Sequence, residues 1–192
     1  MNLDYAFHHM ECALAVMIGR REALTRMDIS ADGFWRSFGA ILVSAPALFF
    51  VWVLSARQTQ AEFPLASTGG LILAEAAFEL FVWLAPVFVL AMILRPLGFG
   101  DRFSHLIIAR NWSAAVISYA IAVPFVAQLF AGPESGLAAM LLLVVLAVVF
   151  IAAVRVTRTA LDSSLMVAIA FTATELFIGL MLASAYYGAV LP

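Results

Sequence analysis

Lysine is absent, cysteine occurs once, and charged residues make up only 11% of this 192-residue chain. Each shortage excludes something. A single cysteine, Cys12, leaves no intramolecular disulfide to form. With ten basic residues in all and no run of them, no stretch suits a phosphate backbone, so nucleic acid is not an expected partner. The enzyme signatures Gly-x-Ser-x-Gly, His-Glu-x-x-His and the phosphate loop are missing. No catalysis and no cofactor are expected. The chain opens Met1-Asn2-Leu3-Asp4, without the basic start of a cleavable signal. Soluble domains are about 45–50% apolar and about 25% charged. This chain is 65% hydrophobic, with a mean hydropathy of +1.07. Lipid is therefore its expected solvent.

What is present is a set of five long apolar runs, at 37–56, 71–94, 112–131, 136–154 and 164–189. Each is close to the ~20 residues that cross a ~30 Å hydrocarbon layer. The expected fold class is all-α, a polytopic bundle of five spans. It is one membrane domain, 31–192, preceded by an amphipathic segment, 1–30. All ten basic residues are arginine. Arg20, Arg21, Arg26, Arg36, Arg95, Arg102, Arg110, Arg155 and Arg158 fall on one side of the runs, and Arg57 falls alone on the other. Basic residues near span ends remain cytoplasmic. That places the N-terminus inside and, after five crossings, the C-terminus outside. Abundant alanine without lysine points to a GC-rich genome and a bacterial inner membrane.

Residues 4–27 carry an apolar stripe, Phe7, Met10, Leu14, Met17 and Leu24, at helical spacing. Such a helix either lies in the headgroup plane or packs on the cytoplasmic ends of the bundle. Asp28 or Ser30 is placed to cap the next helix. Trp35 and Arg36 mark the inner interface and Trp112 opens the third span, as anchors of an aromatic belt. The fourth span has no polar side chain between Gly136 and Val154, and is expected at the periphery. It follows the third through Ala131-Gly132-Pro133-Glu134-Ser135, a tight antiparallel hairpin. His8 and Cys12 share a helix face, but no second ligand pair exists, so no metal site is expected.

Three acids interrupt the runs: Glu75 and Glu79 in the second, Glu175 in the fifth. An ionised side chain near the bilayer centre costs about 2.5–3.5 kcal/mol. These residues are therefore expected to face the protein interior. At ~1.5 Å per residue, Glu79 lies roughly 12 Å below the outer boundary and Glu175 roughly 16 Å above the inner one. Both depths fall near the midplane. Glu75, one turn from Glu79, matches Gln128 of the third span in depth. Ala168, Thr172, Glu175, Gly179, Ala183 and Tyr186 form one small and polar face of the fifth span, suited to close helix packing. A polar cluster of Glu75, Glu79, Gln128, Thr172 and Glu175 is the result, with no arginine expected at its depth. It serves either as hydrogen-bonding glue or as a proton or cation path.

The segment Phe103-Ser104-His105-Leu106-Ile107, followed by Asn111-Trp112-Ser113, is similar to the Tyr-Gly-Tyr-Ser segment of the Yip (Ypt-interacting protein) family. Trp112 stands for the second aromatic and Ser113 matches, while Arg110 and Asn111 replace the Tyr-Gly. The acidic-Leu-Tyr-Gly-Pro element of eukaryotic members has no counterpart. The five-span architecture with a cytoplasmic N-terminal region also resembles that family. The resemblance implies a membrane accessory or organising protein without catalysis of its own. Its partners would be the lipid bilayer and either a membrane subunit or a second copy of the chain. Small residues on the first span (Ala40, Ser44, Ala47) and on the fifth would form its packing surfaces. A small proton- or cation-coupled permease using the glutamates is the alternative.

Overall fold

A computed structural model describes residues 2–132 and 135–190. The described residues are helical throughout, in seven α-helices with two short 3-10 turns and no strand. Five helical stretches are long and apolar enough to cross a membrane. The chain is an all-α helical bundle, as its apolar runs predict.

The N-terminal helix α1 spans Leu3–Met17, and Asn2 caps it by accepting the Tyr5 N–H at 2.8 Å. Gly19, at φ +104°, ends it in a Schellman turn, with Arg20 N–H bonded to Ala15 O and Gly19 N–H to Val16 O. A 3-10 turn at Arg21–Arg26 leads to the short helix α2, Ala31–Ser37. Ser30, not Asp28, caps α2, accepting the Gly33 N–H at 3.1 Å. The spans are α3 (Ala40–Glu62), α4 (Thr68–Ile93), α5 (Phe103–Ala131), α6 (Gly136–Leu161) and α7 (Leu165–Val190). Several outrun their apolar cores. Amphipathic turns at Phe103–Asn111, Arg155–Leu161 and Arg57–Glu62 continue the helices beyond the runs that mark them. A backbone already helical extends at little cost where water or a neighbour satisfies its side chains.

At the arginine-rich end, Gly98 (φ +83°) closes α4 in a second Schellman turn. Asp162, the one non-glycine described residue at positive φ, closes α6 in a third. Arg102, in the 3-10 turn Gly100–Arg102, reaches Asp162 at 3.5 Å. At the other end α5 and α6 form the expected hairpin; Pro133 and Glu134 lie outside the described residues.

α5 is the hub. It packs along α3 on one side and α6 on the other, and its arginine-rich end lies under α1. Ala40, Ser44 and Ala47 are buried, so the small face of the first span is used inside the chain. α6 is exposed over most of its length between Gly136 and Ile151, as its uniform hydropathy predicts. It is the main partner of α5, and Ala138, Ala152 and Ala160 are buried in its contacts. Alanines let two helices approach closely. Its lipid-facing stripe is Met140, Leu143, Val144 and Ile151. α4 is the loosely held member, packed mainly on α3 and lightly on α5 and α7.

α1 packs on the arginine-rich end of the bundle, one of its two expected placements. Ala6, His9, Cys12, Ala13 and Val16 are buried against the bundle, while Leu3, Phe7, Leu14 and Ile18 form an exposed apolar stripe. The buried face carries small residues together with Met17 of the expected stripe, whose Leu24 is buried in the turn that follows, while Phe7 and Leu14 are exposed. Arg155 of α6 donates to the Met17 carbonyl at 3.2 Å, a cation at the C-terminal end of the α1 dipole.

Candidate functional site

A cavity of about 430 Å³ lies inside the bundle, lined by side chains of α3, α4, α5, α6 and α7. Glu75, Glu79 and Glu175 all reach it, as do Arg110, Ser55, Ser113, Ser118 and Thr157. Three acids from two distant helices therefore share one space. Ser55 of α3 donates to Glu75 Oε1 at 3.3 Å. Ser113 is only 3% exposed, and its hydroxyl is buried without a hydrogen-bond partner. Trp52, Phe78 and Trp83 add aromatic surface to the walls.

Arg110 corrects the sequence reading, which counted it among the interfacial arginines. Its side chain turns into the bundle instead. Nη1 donates to the Trp83 carbonyl of α4 at 3.3 Å, and Nε lies 3.7 Å from Glu175 Oε1 of α7. The second contact is ionic, too long for a hydrogen bond, and Glu175 Oε1 has no hydrogen-bond donor. The first contact lies in the turn before Pro86 of α4, three residues after Trp83; a proline loosens such a turn, and a neighbouring helix can bond the carbonyls there.

Asn111, the next residue, fixes the same region from its other side. Trp83 Nε1 donates to Asn111 Oδ1 at 3.0 Å, and Asn111 Nδ2 donates to Ser37 Oγ at 2.9 Å. Ser37 in turn donates to Phe34 O at 2.7 Å. Asn111, Ser37 and Trp83 are all buried. One amide thus ties α4, α5 and α2 together. Trp83 and Asn111 stand out in the sequence as polar-capable groups at mid-span and at a span start, but their pairing has no local signal.

Two members of the expected cluster lie elsewhere. Gln128 accepts from Gln58 Nε2 at 2.9 Å, joining α5 to α3 beyond the cavity. Thr172 is buried and pairs with Thr157 Oγ1 at 3.3 Å, tying α7 to α6 behind the cavity wall. Of the anchors, Trp35 is 72% exposed beside the arginine-rich end, and Arg36 lies 5.6 Å from the Tyr5 ring centroid. Trp112 is no belt residue: it is wholly buried, its ring 5.3 Å from that of His9 and 6.0 Å from that of Tyr5. The docking of α1 over the start of α5 covers a ring that hydropathy alone assigns to the interface.

That docking is polar as well as apolar. His9 Nδ1–H donates to the Tyr5 carbonyl at 2.8 Å, so Nε2 is the acceptor of the Asp28 N–H at 3.1 Å. Burial lowers the His9 pKa below its ordinary value. The Ser30 hydroxyl holds the Asp28 pKa down, and burial raises that of the Cys12 thiol. His8 lies 3.7 Å from Cys12 Sγ, and among the described residues no three potential ligands cluster for a metal.

Comparison with protein-family models, curated proteins and solved structures finds no match to this chain.

Proposed function

We propose that the protein is a small membrane carrier that binds a proton or cation in its central cavity, at Glu75, Glu79 and Glu175, with no catalysis of its own. The observation that supports this reading is the convergence of the three acids on one space opposed by a single guanidinium. The partnerless Ser113 hydroxyl in the same wall adds to it. Packing glue needs no cavity. Here the acids line a void large enough for a solvated ion or a small organic cation.

The arginine distribution supports a cytoplasmic N-terminus and an outer C-terminus, and the alanine-rich, lysine-free composition supports a bacterial inner membrane. With Arg110 drawn into the bundle, eight arginines still stand against one.

The test is flux. Purified protein in liposomes should carry protons or a monovalent cation down a gradient. Glu79→Gln and Glu175→Gln should each lower the rate about tenfold, the effect of roughly 1.4 kcal/mol at the site. Wild-type liposomes no leakier than empty ones would overturn the carrier. The organising role implied by the Yip resemblance would then lead. It is favoured by the place of Asn111, Trp112 and Ser113 at the junction of α1, α4 and α5, where a partner acting on α1 would be felt. On that reading Glu79→Gln leaves the biological effect intact.

A further inference from the structure

A second space adjoins the first. A groove of about 300 Å³ runs between α4 and α7, walled by apolar side chains that include Val89, Ile93, Phe171 and Leu182. Val82, Arg110 and Glu175 line both the groove and the acid cavity. The ion pair is therefore the partition between an apolar space and an acidic one. Gly179 of α7 faces the groove, and a Cβ built there would meet nothing within 4 Å. Together with the light packing of α4 on α7, the missing side chain leaves the groove open.

An apolar groove alone would accept a lipid tail. Continuity with the cavity selects something narrower. An occupant extending past Arg110 meets Glu79 and Glu175, and it also meets the aromatic side chains of Phe78 and Trp83. Carboxylates attract a positive charge, and aromatic faces add cation–π attraction within about 6 Å. An anionic amphiphile would face three acids. A small inorganic cation would leave the groove unused.

We infer that the groove and the cavity form one composite site for a lipophilic organic cation. Its apolar body lies between α4 and α7 beside Gly179, and its charge lies between Glu79 and Glu175. Entry of the charge displaces Arg110 from Glu175, while the Trp83 carbonyl keeps a hold on the guanidinium. The inference rests on the carrier reading and names its substrate class.

The probe is tetraphenylphosphonium, added to the full-length protein in nanodiscs of zwitterionic lipid, with empty nanodiscs as the blank. Wild type should bind it saturably. Glu79→Gln and Glu175→Gln should weaken binding about tenfold or more. Gly179→Leu, which places a side chain in the groove, should weaken it as much. Gly179→Ala, the milder change, should fall between. Each variant is checked for folding by the protection of buried Cys12 from a thiol reagent. Binding unchanged in Gly179→Leu would overturn the composite site, and so would flux without binding in the wild type. In both cases the carrier would stand. Wild type that neither binds the probe nor carries an ion would sink both readings.

Discussion

Replacing Asn111 by alanine should release α4 from the bundle more than any other single change of comparable size. The side chain is wholly buried and joins Trp83 Nε1 at 3.0 Å to Ser37 Oγ at 2.9 Å. Interhelical hydrogen bonds within membranes average about 0.6 kcal/mol and reach about 1.7. Two lost bonds therefore amount to about 1–3 kcal/mol. The indole N–H left behind is buried and keeps no partner, which favours the upper half of that range. Trp83→Phe removes the same bond from the α4 side. A double-mutant cycle between the two positions should yield a coupling of about 0.6–1.7 kcal/mol, measured by reversible unfolding in mixed micelles. Ser37→Ala should couple to Asn111 but not to Trp83 directly. Additivity at Trp83 and Asn111 within about 0.3 kcal/mol would refute the network. Because α4 walls both spaces, the Asn111→Ala variant should also lose probe binding in proportion to its loss of stability.

The N-terminal cap should be sensitive to acid. Only a neutral His9 can accept the Asp28 N–H, and its pKa lies below 6.5 when α1 is docked. The undocked state binds the proton more readily, so stability is fully present above 6.5 and falls as pH drops through the docked value. The lowered Asp28 pKa acts in the same sense. Hydrogen-exchange protection of α1, corrected for intrinsic rates, should therefore fall between about pH 7 and pH 5; constant protection would exclude the mechanism. Gly33→Ala should destabilise the cap by about 1–3 kcal/mol, because its Cβ would lie 2.0 Å from the Asp28 carbonyl oxygen. Faster labelling of Cys12 at neutral pH is the readout. Arg102→Ala should change the thermal midpoint very little, since its partner Asp162 is 72% exposed and such pairs contribute about 0–1 kcal/mol.

Apolar length made the five helices legible, and residue depth brought Glu79 and Glu175 to one level. What depth could not supply is lateral position. Gln128 has the depth of Glu75 yet turns towards Gln58 on α3. Arg110 was hidden by its reach, because a long side chain at the start of a span carries its charge well away from its own backbone. For α1, periodicity selects Phe7, Met10, Leu14, Met17 and Leu24; Met17 and Leu24 are buried, but close packing also buries Ala6, Cys12 and Ala13 and leaves Phe7 and Leu14 exposed. The same preference draws the alanines of α6 onto α5. Hydropathy ranks transfer to an apolar medium. It does not rank fit against a neighbouring helix, and these misplacements share that cause.

The Arg110–Glu175 pair is hard to justify as a stabilising device. At 3.7 Å and an effective dielectric near 20, its attraction is on the order of 4 kcal/mol. Inserting the ionised Glu175 near the bilayer centre alone costs about 2.5–3.5 kcal/mol on the scale that flagged the glutamates, and burying the Arg110 charge beside it adds to that. An apolar pair of similar volume would leave the bundle at least as stable. The contact also lacks the hydrogen bond that would strengthen it, because the guanidinium is shared with the Trp83 carbonyl. A pair held this loosely, at the junction of an apolar groove and an acidic cavity, can be opened by a competing cation for less than a bidentate one. Substituting Arg110 by glutamine tests that competition. With the guanidinium gone, a lipophilic cation should bind more tightly but leave more slowly, so affinity rises about tenfold while flux falls. An affinity that drops instead would mean that Arg110 holds the site together and does not compete for it.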